Sequence, residues 1–247
     1  MEQTGRMAYH GAMENARSEE ISIRVNDAHV VSGLLHVPDQ ARACYMLAHG
    51  AGAGMAHLFM AAVAAGLGQR GVATLRYQFP FMEQGSKRPD ASRLAHATVR
   101  AAASEGARLV PTLPLIAGGK SFGGRMTSQT QAEAPLAGVH GLAFLGFPLH
   151  PLKKPSDDRA RHLSDVHIPM LFLQGTRDGL AEPHLMTQLV GRLGLLATLQ
   201  WVADADHSFH VPARSGRTDE QVRNDMLDRL ATWIDQSILT DWGRKTA

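Results

Sequence analysis

The chain has 247 residues, 44% of them hydrophobic and 19% charged, the profile of a globular protein with a sizeable core. Its 25 Lys and Arg nearly balance 23 Asp and Glu, and no basic run accompanies the sequence pI of 8.9, so there is no electrostatic reason to expect nucleic acid or an acidic membrane surface. A single cysteine, Cys44, excludes an intrachain disulfide, and no stretch approaches about 18 uninterrupted apolar residues, so no membrane-spanning helix is expected.

Residues 1–20 show neither hydrophobic periodicity nor the apolar run of a secretory signal. They are expected to form a mobile arm, with residues 21–247 forming one domain of a cytoplasmic protein. Segments 21–25 and 29–37 alternate in the strand manner around Asn26-Asp27, the pattern of a hairpin. Residues 43–48 are a short apolar run ending in His49-Gly50-Ala51-Gly52-Ala53-Gly54. Such a run suits a strand buried on both faces, with Cys44 as an inert core residue.

From there helix and strand patterns alternate. Helices are expected at 56–69, 91–105, about 122–132 and 182–193, the last with Pro183 in its first turn. Strands are expected at 72–77, 113–118, 139–145, 170–174 and 199–203. A closing amphipathic helix spans 220–238, with Val222, Met226, Leu230, Trp233 and Ile234 at helical spacing. Segment 147–167 carries Pro148, Pro151, Pro155 and the charged Asp157-Asp158-Arg159, and reads as a loop with at most one helical turn. The fold class is therefore α/β: a mostly parallel sheet of about eight strands, led by an antiparallel hairpin and flanked by helices, with no sizeable cap.

Gly119-Lys120-Ser121-Phe122-Gly123 fits G-x-S-x-G, in which a strained strand-to-helix turn lifts the serine Oγ clear of the sheet edge. The predicted strand before it and helix after it supply the required context. A phosphate-binding loop would need glycine where Pro114 stands, and a dinucleotide fingerprint would need glycine where Met55 stands. A tetrahedral intermediate needs two N–H donors for its oxyanion. One is expected from the backbone of Phe122, the residue after the nucleophile. The side-chain-poor loop 49–54 supplies the other, from Ala51 or, failing that, Gly52.

Serine becomes a useful nucleophile only when a histidine takes its proton and a carboxylate orients that histidine. In strand-to-helix elbows of this kind the partners follow in the order Asp, then His. Asp178, in Gly175-Thr176-Arg177-Asp178-Gly179, follows a predicted strand at the sheet edge, whereas Asp165 and Asp157-Asp158 precede it. His207, in Asp206-His207-Ser208-Phe209, follows the last strand and is preferred to His210 as the base. Tyr77, Phe79, Phe81 and Met82 could line an acyl pocket or simply pack. The 13 histidines show no H-E-x-x-H spacing and one cysteine cannot build a zinc cluster, so neither metal nor other cofactor is expected.

These strings, from His49-Gly50-Ala51-Gly52 to Asp206-His207-Ser208-Phe209, occur in an order that resembles the α/β-hydrolase superfamily from about Ile21 onward. The resemblance is strongest to its small, lidless, dienelactone-hydrolase-like members. It implies a serine hydrolase acting on a carboxylic ester, or related acyl bond, of a small soluble substrate through an acyl-serine. Dienelactone hydrolases proper use cysteine where this chain has Ser121, and lipases insert a cap where segment 147–167 is short. The same triad also serves amide hydrolysis and acyl transfer. Because one fold hosts many functions, a non-catalytic binding or scaffold module is the alternative.

Overall fold

A computed structural model describes residues 17–240 and 242–243. The expected strands form as β1 (Arg17–Asn26), β2 (His29–Val37), β3 (Ala43–Ala48), β4 (Val72–Tyr77), β5 (Leu115–Lys120), β6 (Val139–Leu145), β7 (Met170–Gly175) and β8 (Ala197–Val202). Between them lie helices α1 (Leu58–Gly68), α2 (Pro80–Glu83), α3 (Ser92–Leu109), α4 (Phe122–Glu133), α5 (Pro183–Leu193) and α6 (Asp219–Ile234).

Most differences from the expected bounds have local causes. β1 starts at Arg17, four residues before the strand expected from Ile21, and its first residue pairs with Val37. Those added residues are polar and largely exposed on an edge strand, so the backbone ladder holds them without any apolar alternation. Arg17–Glu20 thus belong to the sheet, and the remainder of the expected arm lies outside the described residues. β5 starts two residues late because Pro114 has no N–H to give a central ladder, although its carbonyl still accepts the Cys44 N–H at 3.0 Å. α2 stands in a stretch outside the expected helices, with Pro80 in its first turn. α6 is nucleated by a capping box between Thr218 and Gln221 and passes into a π-helical turn over Asp235–Leu239.

The strand order is β1-β2-β4-β3-β5-β6-β7-β8. β2 runs antiparallel to both neighbours, and β3 to β8 are mutually parallel. β3 shows why the sheet needs helices on both faces. Ala43, Tyr45 and Leu47 join one apolar cluster with Val63 of α1 and Met226 of α6; Cys44, Met46 and Ala48 join another with Val99 of α3 and Met126 of α4.

From β3 the chain steps to β4 on one side, then crosses back so that β5 to β8 build outward on the other. The ends of β3 and β5 therefore flank a topological switch point, where loops diverge and leave a crevice. Between β6 and β7 the only regular element is a 3-10 segment, Asp158–Asp165, so no large cap covers that edge. Among the described residues no helix is long and apolar enough to cross a membrane.

Candidate active site

Ser121 sits directly at the end of β5, as the residue capping α4, with φ 50° and ψ −114°. A non-glycine residue in that region is strained and persists only where its surroundings hold it. The two flanking glycines make the turn possible. A Cβ on Gly119, itself at φ 136°, would lie 2.1 Å from the Ala48 carbonyl oxygen, and one on Gly123 would lie 2.5 Å from the His49 carbonyl oxygen. The elbow is thus pressed against the end of β3.

The other two expected residues arrive from neighbouring strand ends. His207, in the loop after β8, has Nε2 2.9 Å from the Ser121 Oγ and Nδ1 2.7 Å from an Asp178 oxygen. Since a carboxylate only accepts, Nδ1 carries the ring proton and Nε2 is left to accept from the serine. Asp178, in the loop after β7, is buried, and its second oxygen accepts the Leu180 N–H at 2.8 Å. An open cavity of about 360 Å³ reaches Ser121 and His207, and Gly50, Ala51 and Gly52 form part of its wall with Phe59 and Met60. Phe122 opens α4, where a first-turn N–H has no intrahelical acceptor.

The weaker candidates go elsewhere. Asp157 and Asp158 pair with Arg192 and Arg161, and His210 is exposed, 2.9 Å from Asp219. Tyr77, Phe79 and Phe81 pack instead of lining the cavity. Phe79 and Phe81 meet both the Phe122 ring and the His49 ring edge-on, at 5.0–6.0 Å between centroids. One aromatic cluster therefore supports both the elbow and the loop after β3. Met82 is partly buried against the same core.

A family model described as an alpha/beta hydrolase domain matches residues 41–235. The chain belongs to the α/β-hydrolase family. Solved structures agree on the fold. A dienelactone hydrolase from Anabaena variabilis is 20% identical over 90% of this chain and 98% of its own, with a TM-score of 0.71. An α/β serine hydrolase without a lid from Xanthomonas campestris is 20% identical over 87% and 94%, with a TM-score of 0.68. An α/β serine hydrolase homologue from Coxiella burnetii is 18% identical over 88% and 97%, also at 0.68.

Three residues around this α/β-hydrolase elbow were not singled out from sequence. Gln174, fully buried in β7, donates to the Asp178 oxygen that faces His207 at 2.6 Å and accepts the Phe147 N–H at 2.9 Å. Its signal was a polar residue inside an otherwise apolar strand. His49 holds the loop after β3: Nδ1 donates to the Gly50 carbonyl at 2.7 Å and Nε2 accepts the Phe79 N–H at 3.0 Å. Burial pushes its pKa down to about 4, so the ring is neutral near pH 7 and keeps this one tautomer. Lys120 is the third, a charged residue among glycines, with its ammonium donating to the His207 carbonyl.

Among the described residues no group of three or more His, Cys, Asp or Glu side chains is placed to hold a metal ion.

Proposed function

We propose that the chain is a serine hydrolase cleaving a carboxylic ester of a small acyl substrate through an acyl-serine. The observation that carries this reading is the continuous hydrogen-bonded chain Ser121–His207–Asp178 opening onto a cavity bordered by Ala51. Ser121 Oγ attacks the ester carbonyl as His207 Nε2 takes its proton, and Asp178 orients the ring and stabilises the imidazolium. The backbone N–H groups of Phe122 and Ala51 receive the developing oxyanion. Collapse expels the alcohol, which takes the proton back from His207. Water, deprotonated by the same ring, then releases the acid and restores Ser121.

A small substrate is favoured by the cavity, which lies at the low end of the roughly 300–1,000 Å³ usual for ligand sites, and by the short β6–β7 connection. A fluorophosphonate probe is expected to label the protein and to spare Ser121→Ala, with loss of p-nitrophenyl acetate hydrolysis in the same variant. Equal labelling of both proteins would refute the nucleophile. Absence of labelling and of turnover across a broad acyl panel would favour a binding or scaffold role.

A further inference from the structure

Lys120 immediately precedes the nucleophile, yet its side chain serves a loop 87 residues later. Its ammonium donates to the main-chain carbonyl of His207 and lies 5.1 Å from the centroid of the Phe209 ring. Room for it depends on Gly146, at the end of β6, where an added Cβ would come within 3.0 Å of Nζ. The loop it meets is already stiffened by Asp206, whose carboxylate accepts the N–H groups of Ser208 at 2.7 Å and His210 at 3.0 Å. What Asp206 cannot do is fix that loop against β5. Among these contacts, Lys120 is the one that reaches from the elbow to the backbone of the base.

We propose that Lys120 is a positioning residue whose ammonium, bound to the His207 carbonyl and facing Phe209, holds the general base in register with Ser121. This rests on the reading of Ser121 and His207 as nucleophile and base. The placement is unfavourable for the ammonium itself. Burial lowers its pKa to about 8, against the opposing pull of Asp178 and Asp206, and among the described residues no carboxylate is hydrogen-bonded to it. A group retained at such a cost and removable without opening a core cavity separates a positioning role from a structural one. Loss of the charge should leave the fold intact while the base loses its tether.

The test compares wild type, Lys120→Met and Lys120→Arg in p-nitrophenyl acetate hydrolysis, fluorophosphonate labelling rate and thermal unfolding. Lys120→Met keeps the stem and removes the donor. It is expected to lower kcat about 10- to 100-fold with KM within about two-fold, since small misplacements of a catalytic group cost that much. Its labelling rate should slow by a similar factor while Tm is unchanged or higher. Lys120→Arg, still a cationic donor, should recover most of kcat. The inference is overturned by an unchanged kcat in Lys120→Met, by kcat and Tm falling together, or by a rise in KM alone, which would assign the ammonium to substrate binding. A wild-type protein that neither labels nor turns over would instead overturn the reading of the site, and this inference with it.

Discussion

Gln174 occupies a position in β7 that an apolar residue could fill, with no exposed surface. Its amide is divided between two tasks, donating to Asp178 and accepting from the backbone of Phe147. In the proposed triad Asp178 must hold the His207 ring in one orientation, and the bonds from Gln174 and Leu180 fix both of its oxygens. Gln174→Leu matches the volume but leaves the buried Phe147 N–H unpaired and takes from the Asp178 oxygen one of its two donors, the His207 ring being the other. Leaving such a group unpaired costs about 1–3 kcal/mol, and urea unfolding should show a loss of that order. Steady-state kinetics should show kcat reduced by about 10-fold with little change in KM, because the proposed base, rather than the cavity wall, is disturbed. A variant of full stability and full kcat would show that the Leu180 N–H and the His207 ring suffice to hold Asp178.

Between β5 and α4 the chain has almost no steric freedom, and the elbow is an element built from absent side chains. Gly119→Ala would drive a methyl group into the Ala48 carbonyl oxygen at a backbone angle that alanine rarely adopts. The expected outcome is a loss on the order of 4 kcal/mol or more, or failure to fold, measured by chemical denaturation. Gly52→Ala is the contrast: nothing lies within 4 Å of its added Cβ, so its stability should stay within about 1 kcal/mol of wild type. If both variants were equally stable, the close packing of the elbow on β3 would be wrong. The same element explains what could be read from sequence. An apolar run followed by Gly-x-Ser-x-Gly is a local pattern, and so are the turns that carry Asp178 and His207; their convergence follows from parallel strands ending at one edge. The polar first half of β1 left no periodic signal because an edge ladder needs only backbone. Whether Phe79 and Phe81 line the cavity or pack beneath it depended on contacts with Phe122, some forty residues away in sequence. Lys120 and the His207 carbonyl are farther apart still, and no spacing rule links them.

For the molecule as a whole, two imidazoles held neutral make stability sensitive to acid. His49 lies between the Gly50 carbonyl and the Phe79 amide, and His162, on the 3-10 segment, bonds to Ser128 of α4 at 2.7 Å. Burial lowers both pKa values to about 4, aided at His162 by the charge of Arg125. Unfolded, each ring takes up a proton near its ordinary 6.5, whereas folded it does so only near 4. Their contribution is therefore complete above about pH 6.5 and is lost progressively as pH falls toward 4, where the folded form also binds the proton. For the fully buried His49 the loss can reach on the order of 3 kcal/mol. Mutating His49 would also disturb the loop after β3, so His162→Gln is the cleaner probe, leaving Ser128 a polar neighbour that cannot titrate. Urea unfolding from pH 7 to 4.5 should show wild-type stability falling with acid, and His162→Gln falling less steeply by up to about 1.4 kcal/mol per pH unit, the slope of one proton. Because His162 leans on α4 and the His49 ring meets the aromatic cluster at the start of that helix, this acid stress converges on the element that carries the elbow. Identical slopes in the two proteins would mean that His162 is free to protonate in the folded state and that its packing against α4 is looser than its bond to Ser128 implies.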